Sequence, residues 1–115
     1  MDRPQRLARK EENLTARIHR GRVTPQSGSG TRQKNDVVND RFSFEVKSTS
    51  GKTYSLSRDV LATATQHALE DRKTMALIVS FLPPRNRPGR AKRYVLVEED
   101  DFIELTGIDL DGTAT

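Results

Sequence analysis

The alternation of hydrophobic and polar positions divides the chain into strand-like and helical segments. Residues 41–47 alternate strictly, which puts Phe42, Phe44 and Val46 on one face of a predicted strand. The run 75–82 is the most apolar of the chain and predicts a central strand that is buried on both faces. The remaining expected elements are helices over 3–20, over 57–71 and from Asp100, and short strands over 22–26 and 94–97. This order predicts an α/β fold with a central mixed β-sheet flanked by helices.

The first predicted helix carries an acid on its apolar face. Leu7, Leu14 and Ile18, together with position 11, complete the i, i+4, i+7, i+11 series of one helical face. Glu11 is therefore expected to point inward, while Glu12, rotated by about 100°, is expected to face solvent. An inward carboxylate requires a partner, which is either a salt bridge or a bound cation.

A second acid is expected beside the strand at 41–47. Asn39-Asp40 predicts a two-residue hairpin turn, because both residue types tolerate positive φ, and this turn pairs Asp36 with Ser43. In that register Asp36 lies one diagonal step from Glu45, roughly 6–8 Å away between β-carbons. Lys47 projects from the same face. Three charged side chains are thus expected on the polar side of a sheet whose other side is apolar.

Composition limits the size and the chemistry of the protein. The chain has 115 residues, 33% of them apolar and none of them cysteine, which predicts a single domain with a thin core. We expect an ordered core over 4–106 and a frayed tail over 107–115. The lack of cysteine excludes disulfides, thiolate metal sites and a cysteine nucleophile, so a metal would be held by oxygen ligands. Neither a membrane span nor a signal peptide is recognisable, and a cytoplasmic location is expected.

Charge is distributed unevenly along the chain. All seven acids from Glu98 onward lack a basic neighbour in sequence, so residues 1–97 carry 20 basic and nine acidic side chains, a net charge of +11. Fourteen of the 20 cations are arginine, whose planar fork suits phosphate oxygens. The loop 85–93 has five cations and no acid and is a candidate DNA contact. A basic but inert solvated surface is the alternative to a polyanion partner.

The acid of one strand and the Glu-x-Lys of the next predict metal-dependent phosphodiester hydrolysis. Two such carboxylates, Asp36 and Glu45, and a backbone carbonyl can hold Mg²⁺ with room for water and a phosphate oxygen. Lys47 can orient or deprotonate the attacking water and offset charge on the phosphate. The same tripeptide pattern recurs at 71–73, but at a helix end and without a preceding strand acid. His19 and His67 are isolated and are expected to be surface or packing residues.

These residues, taken together, resemble the PD-(D/E)xK nuclease superfamily, specifically the archaeal-type Holliday junction resolvases and their phage relatives. The resemblance covers roughly residues 7–82. The run 11–18 resembles the first helix of the family, with Glu11 at its helix acid, and Ser27-Gly28-Ser29-Gly30 resembles its serine–glycine loop. Asp36 corresponds to its first strand carboxylate and Glu45-Val46-Lys47 to its central motif.

The resemblance implies a homodimer with a restriction-endonuclease-like fold that binds four-way DNA junctions and makes paired nicks. It implies Mg²⁺ or Mn²⁺ and no small-molecule cofactor. Asp36, Glu45 and the Val46 carbonyl would bind the metal, Glu11 would add a ligand or orient a metal-bound water, and Lys47 would assist the nucleophile. The expected contacts to DNA are Arg20, Arg22, Ser27, Ser29, Arg32, Arg85, Arg87 and Arg90.

Two other functions are compatible with the same residues. The first is a nuclease of this superfamily that acts on other branched or duplex DNA. The second is a nucleic-acid-binding protein without catalysis, in which Glu45 and Lys47 form only an ion pair. The ion pair alone does not explain why Asp36 and Glu11 should join the same face.

Overall fold

The computed structural model describes residues 2–25 and 34–108, which form three helices and five strands. In chain order the elements are α1 (Arg3–Ile18), β1 (Arg22–Val23), β2 (Val37–Val38), β3 (Phe42–Thr49), α2 (Arg58–Glu70), β4 (Thr74–Phe81), β5 (Lys92–Leu96) and α3 (Glu99–Thr106). The strands form one sheet in the order β1-β2-β3-β4-β5. The α2 helix joins β3 to β4, which are parallel, and the other neighbouring strands are antiparallel. The expected α/β fold with a mixed sheet is confirmed.

The β4 strand is the centre of the core, as its apolar run predicted. Six of its eight residues are buried. Leu77 packs with Ala64 and Ala68 of α2 on one face of the sheet. Ile78 belongs to the cluster on the opposite face, against which Ala16 of α1 packs. The two helices therefore cover opposite faces, and the small alanines let each helix lie close to the sheet.

The α1 helix is capped at its start and tightly closed at its end. Asp2 and Gln5 form a capping box, in which each side chain accepts from the other residue's backbone N–H. The left-handed residue after the helix is Arg20, with φ of 54°. Gly21 is needed because a Cβ there would overlap the carbonyl oxygen of Val38.

The face of α1 that meets the sheet differs from the predicted one. Glu11 and Thr15 are its buried residues, and Ala16 packs on the core. Leu14 is only half-buried, and Ile18 is 54% exposed. The helix is thus rotated so that small residues contact the sheet, and the leucine-rich stripe lies at the edge of that contact. The inward position of Glu11 is confirmed. The rest of the predicted face is wrong, because the prediction weighted large apolar residues, whereas close helix–sheet packing selected small ones.

The β2–β3 connection is longer than the predicted two-residue turn. Val37 pairs with Phe44 and Val38 with Ser43, a shift of two residues from the expected register. The Asn39 side-chain oxygen accepts from the backbone N–H groups of Arg41 and Phe42, which stabilises the wider turn. Because the shift is even, every side chain keeps its predicted face. The pairing ends at Val37, and the backbone N–H of Asp36 donates to the carbonyl of Phe44, so the regular register does not extend to residue 36.

The remaining differences concern where elements begin and end. Lys92 and Arg93 belong to β5 and not to the basic loop. The α3 helix starts at Glu99 with Glu98 at its N-cap, so Asp100 lies in the first turn, where its charge favours the helix dipole. The α2 helix is confirmed, and Ser57 caps it by accepting from the N–H of Val60. Within the described ranges, none of the helices has the length and apolar character required to cross a membrane.

Candidate functional site

The candidate site lies just before the start of β2, where this short strand leaves the edge of β3 uncovered. The backbone N–H of Asp36 donates to the carbonyl of Phe44 at 2.9 Å. The N–H of Val46 then donates to Asp36 Oδ2 at 2.8 Å. The carboxylate thus takes the place that a carbonyl of a longer β2 strand would occupy in the ladder. This bond holds the Asp36 side chain against the backbone of the Glu-x-Lys segment.

Glu45 and Asp36 form a carboxyl pair. Burial, a side-chain hydrogen bond to Asp36 and the charge of Asp36 together raise the pKa of Glu45 to about 8, against the opposing effect of Lys47. Two carboxylates this close repel each other when both are ionised, so without a cation the pair retains a proton near neutral pH. A site with this property has an excess of negative charge that a metal ion can neutralise.

Lys47 supplies positive charge next to the carboxyl pair. Its Nζ lies 3.3 Å from Glu45 Oε2. Burial lowers the pKa of Lys47, but the charge of Glu45, its hydrogen bond and the charges of Tyr54 and Asp36 outweigh burial and raise the pKa above its usual value. Lys47 is therefore an ammonium at neutral pH and acts as a cation and hydrogen-bond donor.

Glu12, which helical periodicity predicts to face solvent, is the acid that α1 contributes to this site. It lines a cleft of about 420 Å³ together with Asp36, Glu45 and Lys47. Burial and the charge of Asp36 raise the pKa of Glu12, while Arg9 opposes the shift. The small residues of α1 that contact the sheet, Thr15 and Ala16, were the signal that could have located Glu12. A helix face centred on these residues has Glu12 on its flank.

Glu11 does not belong to this cleft. Ser80 of β4 donates to Glu11 Oε1, and Arg93 Nε of β5 lies 3.4 Å from the same oxygen. Arg93 also donates to the hydroxyl of Thr15 one turn later. Of the two partners considered for this carboxylate, the structure contains the salt bridge. The expectation that Glu11 converges with Asp36 is wrong, because the rotation of α1 directs Glu11 to the other flank.

A buried hydrogen-bond network fixes the chain just before Asp36. The fully buried Asn35 side chain donates to Ser43 Oγ at 2.8 Å and to the carbonyl of Ala64 at 2.9 Å. Its Oδ1 lies 3.2 Å from Nδ1 of His67. The network links α2 to the start of β2, so Asn35 and His67 have a positioning role that their sequence context did not reveal.

The donor atoms of the cleft fit a divalent cation of the magnesium type. Carboxylate and carbonyl oxygens are its preferred ligands, and it keeps several waters. Within residues 2–25 and 34–108, no three acidic or histidine side chains already surround one ion position. Asp36, Glu45 and the Val46 carbonyl would therefore hold the ion with water completing its shell.

The other predicted site residues do not line the cleft or lie outside the described part of the chain. Arg20 and Arg22 are exposed where α1 leads into β1. Exposed arginines of the β4–β5 connection are Arg85, Arg87 and Arg90. Ser27, Ser29 and Arg32 fall within 26–33, outside the described residues. His19 is a packing residue, because its ring lies 4.7 Å from that of Phe44.

No protein-family model, curated protein or solved structure matches this chain. The functional interpretation therefore rests on the residues of the cleft and on the charge around it.

Proposed function

We propose that this protein is a metal-dependent DNA endonuclease of the PD-(D/E)xK type with a restriction-endonuclease-like fold. The observation that supports this most is the Asp36–Glu45 carboxyl pair at the open edge of β3, with Lys47 in contact with it. Glu12 reaches the same cleft from α1. An ordinary surface ion pair requires neither the second strand acid nor the helix acid.

The carboxyl pair is the proposed metal site. A Mg²⁺ or Mn²⁺ ion bound there would polarise a phosphate oxygen and lower the pKa of a coordinated water. Asp36 and Glu45 would hold the ion with the Val46 carbonyl. The hydrogen bond from Val46 N–H keeps the Asp36 carboxylate in place before the ion arrives.

Lys47 and Glu12 act on either side of the carboxyl pair. Because its pKa is raised, Lys47 stabilises negative charge on the phosphate and orients the attacking water, and it is not the base. Glu12 lines the cleft and would accept a hydrogen bond from a metal-bound water, the role first expected of Glu11.

The proposed substrate is DNA with a four-way junction, cut by paired nicks in the cytoplasm. The +11 charge of residues 1–97 supports a polyanionic partner. A two-fold homodimer would present two equivalent sites to a junction that has its own approximate two-fold symmetry. Arg20, Arg22 and the arginines of the β4–β5 connection are the proposed contacts among the described residues, with Ser27, Ser29 and Arg32 beyond them.

A protein that binds nucleic acid without cutting it is the second candidate. The 3.3 Å contact between Lys47 and Glu45 favours it, because that pair resembles a structural ion pair. A partly exposed ion pair of this kind contributes only about 0–1 kcal/mol to stability. A stabilising role for the Lys47–Glu45 pair therefore gives no reason for Asp36 to lie so close to Glu45 that the pKa of Glu45 is raised.

A cleavage assay distinguishes these functions. A labelled four-way junction and a linear duplex of matched sequence are incubated with Mg²⁺, Mn²⁺ or a chelator, using the parent chain, Asp36→Asn and the control Asp40→Asn. Asp40 is exposed and lies in the β2–β3 turn, away from the cleft. We expect symmetric nicks in the junction alone, lost with the chelator and in Asp36→Asn but retained in Asp40→Asn.

Each other outcome has a definite meaning. Cutting of flapped, nicked or linear DNA in preference to the junction would keep the nuclease and replace its substrate. Binding of DNA without cleavage under any divalent ion would overturn both nuclease interpretations.

A further inference from the structure

A second groove continues from the candidate site along the other flank of α1. Its volume is about 880 Å³, and its walls are α1 and the β4–β5 connection. Arg3, Leu7, Ser50 and Leu82 line both this groove and the cleft of Glu12 and Asp36. The two concave surfaces are therefore contiguous at the N-terminal end of α1.

The walls of this groove are strongly basic. Among the described residues that line it, Glu11 is the acid, and Ser80 and Arg93 already engage its carboxylate. The remaining charged lining residues are the cations Arg3, Lys10, Arg17, Arg85, Arg87 and Arg90. Cations on two facing walls suit a row of phosphates.

The floor of the groove is apolar and accessible. Leu7, Leu14 and Ile18 form its α1 side, and Pro83 and Pro88 lie on the other side. Ile18 is 54% exposed although it belongs to a helix that otherwise packs on the sheet. The bases of an intact duplex are paired and stacked inside the helix. Only unpaired nucleotides present an apolar base face to such a floor.

We propose that this groove binds an unpaired stretch of nucleic-acid strand, with phosphates on its arginine walls and bases on its apolar floor. Because the groove is contiguous with the cleft, this stretch would adjoin the phosphate to be cut. This part of the inference rests on the proposed nuclease function. Unpaired nucleotides are supplied by a flap, by a gap or by base pairs opened at the centre of a junction, whereas an uninterrupted duplex supplies none, so the groove favours such DNA over the duplex.

Binding is measured by fluorescence anisotropy without divalent metal, so that cleavage does not enter. Three labelled probes share one sequence: a single strand, a blunt duplex and a duplex with a single-stranded flap. The wall variant is Arg17→Gln with Arg87→Gln, and its control is Arg58→Gln with Arg72→Gln, two exposed cations outside the groove.

The floor is tested separately from the walls. Ile18→Ser removes an exposed apolar side chain from the groove, and Leu69→Ser removes one that is 64% exposed on α2 and outside it. Neither substitution leaves a buried cavity, so both chains are expected to fold.

We expect the wall variant to bind the single strand and the flap roughly tenfold more weakly than its control. The slope of log affinity against log salt concentration should become shallower by about 0.7 for each phosphate that the variant no longer neutralises. Ile18→Ser should weaken binding of the same probes about threefold to tenfold, because it removes apolar surface that an unpaired base would cover, without a change of slope. Affinity for the blunt duplex should match that of the controls.

Three results would overturn the inference. Equal losses on the blunt duplex would mean that the groove holds phosphates of any DNA. Unchanged affinity for all probes would mean that it holds no DNA. Unchanged affinity together with conversion of a dimer to a monomer in sedimentation would mean that it holds the acidic α3 helix of a second copy.

If the proposed nuclease function is wrong, the binding and cleavage assays give a different combination of results. If the groove variants lose single-strand binding but the parent chain cuts no DNA with any divalent ion, the groove is confirmed and the nuclease is not. If the parent chain cuts and the groove variants bind normally, the nuclease stands alone.

Discussion

Glu11 and Glu12 are neighbours in sequence and lie on opposite flanks of α1. Glu12 lines the cleft with Asp36, whereas Glu11 is buried against β4 and β5, where Ser80 and Arg93 bind it. Successive helical residues are rotated by about 100°, so one helix can contribute adjacent acids to two different environments. The Glu11 contacts attach α1 to the sheet and thereby set the rotation that brings Glu12 to the cleft.

This relationship predicts different consequences for two otherwise identical substitutions. Glu12→Gln should reduce cleavage roughly 10- to 100-fold, as removal of a group that orients a metal site does, with little change in melting temperature. Glu11→Gln should mainly destabilise the fold, by about 1–3 kcal/mol, because the buried guanidinium of Arg93 then lacks its ionic partner. Nicking rates and thermal melts of both variants provide the comparison. Equal effects on cleavage at equal stability would contradict the assignment of Glu12.

Asn35 provides a test of positioning. Asn35→Ala leaves Ser43 and His67 without their buried partner and should cost about 1–3 kcal/mol in the free energy of unfolding. Because Asp36 follows directly, the stabilisation that Mg²⁺ gives in a thermal melt should also decrease. Asn13→Ala, on the exposed side of α1, is the matched control. A full Mg²⁺ response in Asn35→Ala would show that the network supports the fold and not the metal site.

The carboxyl pair predicts a pH dependence of stability in metal-free buffer. The pKa of Glu45 is raised from 4.5 to about 8, so the folded chain retains a proton that the unfolded chain releases. This contribution is fully present below the unfolded pKa and is lost as the pH rises through about 8. Glu45→Gln mimics the protonated form. Its stability relative to the parent chain should therefore increase as the pH rises from 4.5 to about 8.

Thermal melts of both chains across the interval measure this difference. Mg²⁺ should raise the melting temperature of the parent chain most at the alkaline end, where both carboxyls can ionise, and should have little effect on Glu45→Gln. Parallel pH profiles for the two chains would contradict the raised pKa.

The position of Lys47 beside the carboxyl pair predicts that its removal affects cleavage much more than DNA binding. Lys47→Ala should abolish nicking while junction affinity falls no more than threefold, because one cation near the phosphate is removed but the basic surface remains. Lys47→Arg should restore part of the activity, since it keeps the charge that the raised pKa maintains but changes the donor geometry. Lys52→Ala, an exposed lysine on the turn after β3, serves as the control. Parental nicking by Lys47→Ala would remove Lys47 from the site.

Local pattern was sufficient to predict the main elements of the fold. The buried β4 strand, the Ser57-capped α2 helix and the alternating faces of β3 follow from short-range periodicity and capping, which act within a few residues. The grouping of Asp36 with Glu45 survived an error of two residues in register, because strand faces repeat every second residue.

Residue types and short-range spacing are sufficient to identify the candidate chemical groups: Asp36, Glu45 with a lysine two positions on, and the adjacent helix acids Glu11 and Glu12. Which of the two helix acids joins the others depends on long-range packing. The rotation of α1 depends on how closely small residues pack against the sheet and on the buried contacts of Glu11 with Ser80 and Arg93, which lie 69 and 82 residues away. Local periodicity contains no information about such distant partners, and for that reason it placed Glu11 where the folded protein places Glu12.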